Sequence, residues 1–331
     1  MALAHRSPGT SFWTHLKPFL SQGALIALVL LVTFAAWRYD GFLSAYNISS
    51  FFRYNSMFML IAIGMTFVIV TGGIDLSVGS VAALASVVAA LASPHGLLAG
   101  LLAGALAGAA VGLLNGLVIT RLRVEPFVAT LGTFLGARGL AQLASRQTAV
   151  SVDQAGAFTK LGQGDLLGVP VPLVITLVAL GLGVVLLRFT RFGRYALCTG
   201  DNEDAARLMG FNVDQVKLGV YVVSGLLAGL AGVILASQFG AGQPVEGVGW
   251  ELTAIAGVVV GGTLLTGGRG SLGNSMIGVI LLGLIFNVLN FENGKGVISI
   301  DVFWQNVIRG VFLLIVVVLQ SSRVARQDHP G

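Results

Sequence analysis

The stretch ISSFFRYNSMFMLIAIGMTFVIVTGGIDLSVGSVAALASVVAALA, residues 48–92, decides how this chain is read. Two apolar runs, 48–70 and 78–92, flank a short break, GGIDLSVGS, at 72–80. A bilayer span needs roughly 20 mostly apolar residues, and the first run has that length. Backbone groups find no water partners in lipid, so both runs are predicted to be helices. The break puts polar atoms near membrane depth. Irregular backbone is tolerated there only when it is buried in protein or lines a water-filled path.

The rest of the chain extends this pattern. Of 331 residues, 55% are hydrophobic and only 10% charged, against about a quarter charged in a soluble domain. Ten candidate spans emerge: 20–36, 48–70, 78–92, 97–119, 127–144, 169–189, 216–239, 252–265, 272–290 and 302–319. The first reads as an uncleaved span rather than a removed signal. Short alternating strands of the kind a barrel needs are absent from the sequence pattern. The predicted fold class is therefore an all-α polytopic membrane protein with glycine-interrupted helices. Segment 1–19 precedes one transmembrane domain, 20–320, and a tail, 321–331, follows it.

The net charge of +5 is not a nucleic-acid signal, because the nineteen Lys and Arg form no patch. They read as topology determinants. With ten spans and the N-terminus inside, twelve basic residues fall on the cytoplasmic side and six outside, with Arg309 in the last span. Both termini and the 190–215 loop are then cytoplasmic. The single cysteine, Cys198, excludes an internal disulfide framework. No GxxxxGK[ST] phosphate loop, Rossmann fingerprint, metal cluster or Ser-His-Asp arrangement is present, so neither a cofactor nor catalysis is expected.

The break itself offers candidate pathway or gate residues. Gly72 and Gly73 suit a helix end, Asp75 and Ser77 suit an N-cap, and Gly79 opens the next helix. Taken alone, Asp75 reads as a helix cap near the membrane surface. A second break, VGGTLLTGGRGS at 260–271, brings Gly261 and Gly262. Both breaks pair GG with a downstream GS and follow an inward-running span, which predicts two parallel repeats. Asn115 lies in the small-residue run GALAGAAVGLLNG and reads first as interhelical glue, and is otherwise a pathway or gate candidate. Asn287 and Asn290 share a face and suit either glue or solute contact. Glu251 is expected to start a span on the outer side, as a cap or a gate. Arg309 should find a partner such as Asp301.

The 191–213 loop is predicted to hold a short helix over 202–209. Asp201 or Asn202 would cap it, Asp204 would complete a capping box, and Gly210 would stop it. Asn202, Ala205, Ala206 and Met209 fall on one face by their spacing. A small, exposed face of this kind fits a groove on a soluble partner.

GGIDLSVGS resembles the signature of ribose-type ABC sugar-importer permeases. The resemblance continues through GLLNGLVITRLRVEPFVATLGT, RFGRYALCTGDNEDAARLMGFNV and ELTAIAGVVVGGTLLTGGRGS, in the family's order, and covers nearly all of 51–319. It departs where Thr199 and Asp201 flank Gly200 and where Thr253 replaces an acidic residue. The resemblance implies a non-catalytic permease subunit in the cytoplasmic membrane of a prokaryote. It implies a second permease chain, cytoplasmic ATPase domains, an extracytoplasmic sugar-binding protein and a monosaccharide as solute. It also implies that Arg194, Gly200, Asn202, Ala205, Ala206, Met209 and Gly210 couple to the ATPase. An ABC permease for a branched-chain amino acid or nucleoside, an ion-coupled transporter and a structural membrane protein are the competing readings.

Overall fold

The structure is a computed structural model and describes residues 23–294 together with 304, 307, 308, 310, 311 and 314. Segments 1–19 and 321–331, most of the expected last span, and Arg309 with Asp301 lie outside the described residues.

Helix α1 is Gly23–Arg38, α2 Ala45–Val70, α3 Val78–Ala92, α4 Leu97–Arg121 and α5 Pro126–Ser145. After these come β1 (Val150–Ser151), the single turn α6 (Lys160–Gln163), β2 (Asp165–Leu166) and β3 (Val169–Pro170). Helix α7 (Val171–Val184) runs into a π-helical turn, Val185–Phe189. Then follow α8 (Arg191–Asp201), α9 (Glu203–Leu208), α10 (Val213–Phe239), β4 (Ala241–Gly242), α11 (Trp250–Val260) and α12 (Leu272–Gly294). Seven helices among the described residues are long and apolar enough to cross a membrane, while α1 and α11 are shorter apolar helices. The all-α reading omits two ladders of two residues per strand in the connections, β1 with β4 and β2 with β3, both antiparallel.

Helix α2 is the axis of the bundle. It is buried continuously from Asn55 to Val70 and packs against α7, α10, α11 and α12. Helices α4 and α10 pack together most extensively and at close range. A Cβ on Gly108 would strike the Gly225 carbonyl, and one on Gly112 the Tyr221 carbonyl. Lipid tails are as apolar as leucine, so helices associate in a bilayer largely through such close packing. The small-residue run in α4 therefore places α10 and all that it carries.

Helix α11 departs from the expected span at 252–265. It is an 11-residue half-helix, about 16 Å long at 1.5 Å per residue, against a hydrocarbon core of about 30 Å. The 241–249 connection folds back along α3: Gly242 lies on the Ser86–Val87 backbone, and Gly247 on Gly79. The Trp250 ring then sits 4.8 Å from Phe58, midway along α2. A hydropathy window sees only a short apolar run and cannot tell a half-helix from a full one.

The two glycine breaks share one backbone pattern. In the first, Gly72 N donates to Ile69 O (2.9 Å) and Gly73 N to Val68 O (3.1 Å). In the second, Gly262 N donates to Val259 O (2.9 Å) and Thr263 N to Val258 O (3.2 Å). Both are Schellman ends, with Gly72 at φ 78° and Gly262 at φ 92°. Pairing GG with GG in the sequence is therefore off by one residue: Gly72 corresponds to Gly262, and Gly73, which keeps a negative φ, to Thr263.

Candidate functional site

Three loops meet backbone to backbone where α2, α8 and α11 end. Gly268 N donates to Val70 O at 2.9 Å. A Cβ on Gly200 would fall on Val70 O and on Gly268 N, and one on Gly267 would lie 2.8 Å from Gly72 N and 2.9 Å from Gly200 O. The first break, the second break and the end of α8 thus form one junction with no side chain between them. Beside it opens a polar cavity of about 430 Å³, reached by Thr71, Gly73, Asp201, Arg207, Lys217 and Tyr221.

The segment that reaches this junction is two helices. Sequence reading treats 190–201 as loop, but it is α8, capped by Thr190 through Gly193 N at 3.3 Å. Asn202 breaks the chain between helices at φ −157° and caps α9, its Oδ1 accepting from Ala205 N at 2.8 Å. The Asp201–Asp204 capping box does not form, because Asp201 is the last residue of α8. Gly210 ends α9 with another Schellman turn, Phe211 N donating to Ala206 O at 3.1 Å. Tyr195 and Phe211 stack at 4.3 Å and close the pair of helices.

Ion pairs tie α9 to the start of α10. Lys217 Nζ meets Glu203 at 2.6 Å, and Arg207 meets Glu203 at 3.0 Å and Asp214 at 2.7 Å. Burial alone would raise the Glu203 carboxyl, but the hydrogen bonds from Lys217 and Arg207 outweigh it and hold it below its ordinary range. The expected contact face is corrected here. Ala206 is fully buried and Ala205 half-buried, whereas Leu208 is 90% and Met209 60% exposed. With Asn202, Asp204 and Gly210 they form the outward tip. Arg194 is exposed on α8.

A buried polar network lies behind the first break. Asp75 is 1% exposed, so it is not a surface cap. Its Oδ1 accepts from Ser77 N (3.0 Å) and Ser77 Oγ (2.6 Å), and its Oδ2 from Ser224 Oγ of α10 (2.8 Å). Asn115 Nδ2 donates to Ser77 Oγ at 3.0 Å, and Thr133 Oγ1 of α5 donates to Asn115 Oδ1 at 2.7 Å. One chain of hydrogen bonds thus joins α10, the break, α4 and α5. Ser77 itself makes no side-chain cap to α3.

Glu251, in the first turn of α11, is 9% exposed and faces the start of α3. A Cβ on Gly79 would lie 2.9 Å from its Oε2, which has no hydrogen-bond partner among the described residues. Gly261 packs on the Asn274–Ser275 backbone at the start of α12. Asn287 stands apart from the breaks near the far end of α12. It exchanges two amide bonds with Asn47, at 3.1 and 3.3 Å.

Sequence reading missed Gly267, Gly268, Ser224, Thr133, Leu208 and the carbonyl of Val70. The TGGRGS run was a visible signal for the two glycines. Ser224 and Thr133 have none, since a hydroxyl in an apolar helix reads the same whether or not it meets a carboxylate.

The family model of the branched-chain amino acid transport system / permease component matches residues 47–317. A ribose import permease from Bacillus subtilis is 40% identical over 306 residues, 92% of this chain and 93% of the relative. One from Escherichia coli K12 is 36% identical over 92% of this chain and 94% of its own length. An L-arabinose transport system permease from Escherichia coli K12 is 37% identical, covering 91% and 90%. With the glycine breaks and the α8–α9 unit in place, the chain belongs to the branched-chain amino acid transport system / permease component family, on its branch of ribose-type ABC sugar permeases.

Proposed function

We propose that this chain is the membrane-spanning subunit of an ATP-driven importer of a monosaccharide, a pentose or hexose, and that α8 and α9 receive the force. The observation that carries the reading is the three-way backbone junction at Gly200. A displacement of α8 has no flexible side chain to absorb it and passes directly to the ends of α2 and α11. The exposed Leu208–Met209 tip, with Asn202, Asp204 and Gly210, is the surface offered to a cytoplasmic ATPase domain.

Nucleotide binding on that partner shifts the permease between two discrete arrangements. The glycine breaks are the hinges, and the pathway runs beside them, past Asp75 and Glu251. A second permease chain and an extracytoplasmic sugar-binding protein complete the assembly. The α8–α9 end then faces the cytoplasm, with both chain termini on that side. The two pentose-permease relatives support the sugar class.

The test is uptake of labelled ribose, arabinose and leucine by the chain reconstituted with its ATPase and binding protein. Leu208→Glu with Met209→Glu should abolish sugar uptake and ATPase coupling while leaving insertion intact. Full uptake by that double variant, or sugar uptake by the chain without any ATPase, refutes the reading.

A further inference from the structure

A cavity of about 210 Å³ lies between α2, α11 and α12, away from the junction. It is smaller than the roughly 300–1,000 Å³ of pockets for drug-sized ligands, so it is sized for a smaller solute. Its walls are aromatic: Phe51, Tyr54 and Phe58 of α2, with Phe286 of α12. Tyr54 and Phe58 pack at 5.5 Å, and Phe58 in turn packs on Trp250, which fixes this wall to the start of α11. The polar lining is neutral: amides from Asn55, Asn287 and Asn290, and hydroxyls from Ser50 and Thr253. Gly283 lets the Asn55 side chain lie against α12, since a Cβ there would strike Asn55 Oδ1.

We infer that this cavity is a translocation subsite for a monosaccharide. A sugar ring has apolar C–H faces that lie on aromatic rings, and hydroxyls that exchange hydrogen bonds with amides and hydroxyls. The chemistry also rejects the competing solute. An amino acid is a zwitterion, and a desolvated charge needs a charged or strongly hydrogen-bonding partner. Among the described residues, no charged side chain lines this cavity.

Its position adds to the case. Thr253 is on the first turn of α11, and α11 ends at Gly261–Gly262, the break that leads into the junction. An occupant held by Thr253 therefore touches the half-helix that the junction moves. The Thr253 hydroxyl donates to Gly249 O at 3.2 Å, so it presents acceptor lone pairs to a sugar hydroxyl.

This inference rests on the sugar-import reading, and the test separates the two. The permease is reconstituted with its ATPase and sugar-binding protein, and labelled ribose and arabinose uptake is read beside ATP hydrolysis. Thr253→Val and Asn290→Leu should each lower sugar moved per ATP at least fivefold, with stimulated hydrolysis within twofold of wild type. Thr253→Ser, which keeps the hydroxyl, should restore the ratio. Wild-type sugar per ATP in both disrupting variants overturns the subsite and leaves the import reading standing. Parallel loss of uptake and hydrolysis, not relieved by serine, overturns it in favour of a structural role. A wild-type assembly that moves leucine and neither sugar overturns both.

Discussion

Replacing Gly200 by alanine tests the junction most directly. The residue is glycine for space and not for conformation, since its φ is not positive. The added methyl group would meet Val70 O and Gly268 N, two backbone atoms that hydrogen-bond to each other at 2.9 Å. Backbone cannot swing aside as a long side chain does. Overpacking of this kind costs about 1–3 kcal/mol. Prising Gly268 from Val70 forfeits about 1 kcal/mol more for the hydrogen bond. The sum is roughly 2–4 kcal/mol, and each 1.4 kcal/mol is about tenfold in an equilibrium. The cheapest relief is for α8 to lift from the two breaks, because the helices behind them stay packed. Uptake by the reconstituted assembly should therefore fall at least tenfold, while the thermal midpoint in detergent changes far less than for a core lesion. Gly181→Ala in α7, where a Cβ meets nothing within 4 Å, is the matched control and should behave as wild type. Wild-type uptake and coupling by Gly200→Ala would refute the claim that movement passes through this contact.

Asp75→Leu leaves the Ser77 and Ser224 hydroxyls without their acceptor, at about 1–3 kcal/mol for each buried group, and should lower both thermal stability and uptake. Asp75→Asn keeps an acceptor of the same shape and should retain most of both, so equal loss in the two variants argues that the network is not what Asp75 serves. Gly112→Leu, at the α4–α10 crossing, should prevent accumulation of folded protein, read as loss of the monodisperse peak in detergent; normal folding would show that the crossing is loose. Because the Glu203 carboxyl is held below its ordinary value of 4.5, its ion pairs stabilise α9 fully above that pH and are lost as pH falls through the lower folded value. Hydrogen exchange of α9 amides should accelerate across that acid window, and Lys217→Met should move the onset toward 4.5; an unshifted onset counts against the Lys217 contribution.

Much was legible before any coordinates. Apolar run length marks helices in lipid, because every backbone group must be satisfied within the segment, and the spans from α2 to α5 followed within a few residues. A cap at Asp201 or Asn202 and the Gly210 stop were legible for a local reason, since a cap depends on residues only three or four positions away, but which of the two caps was settled only by where α8 ends. Sequence also located both glycine breaks and the small-residue face of α4.

Local sequence could not decide what those breaks touch. That Gly200, Gly72 and Gly268 share one contact is set by the crossing of α4 on α10 and by the packing around α2, which join residues more than a hundred positions apart. The same holds for Asp75, which reads as a surface cap until Ser224 is brought against it. It holds again for α11, whose eleven residues become a half-helix because the connection before it descends along α3 to Gly79. Hydropathy and capping are short-range properties and survive in a one-dimensional reading. Depth, burial and partnership come from the helix packing, and only the assembled bundle assigns them.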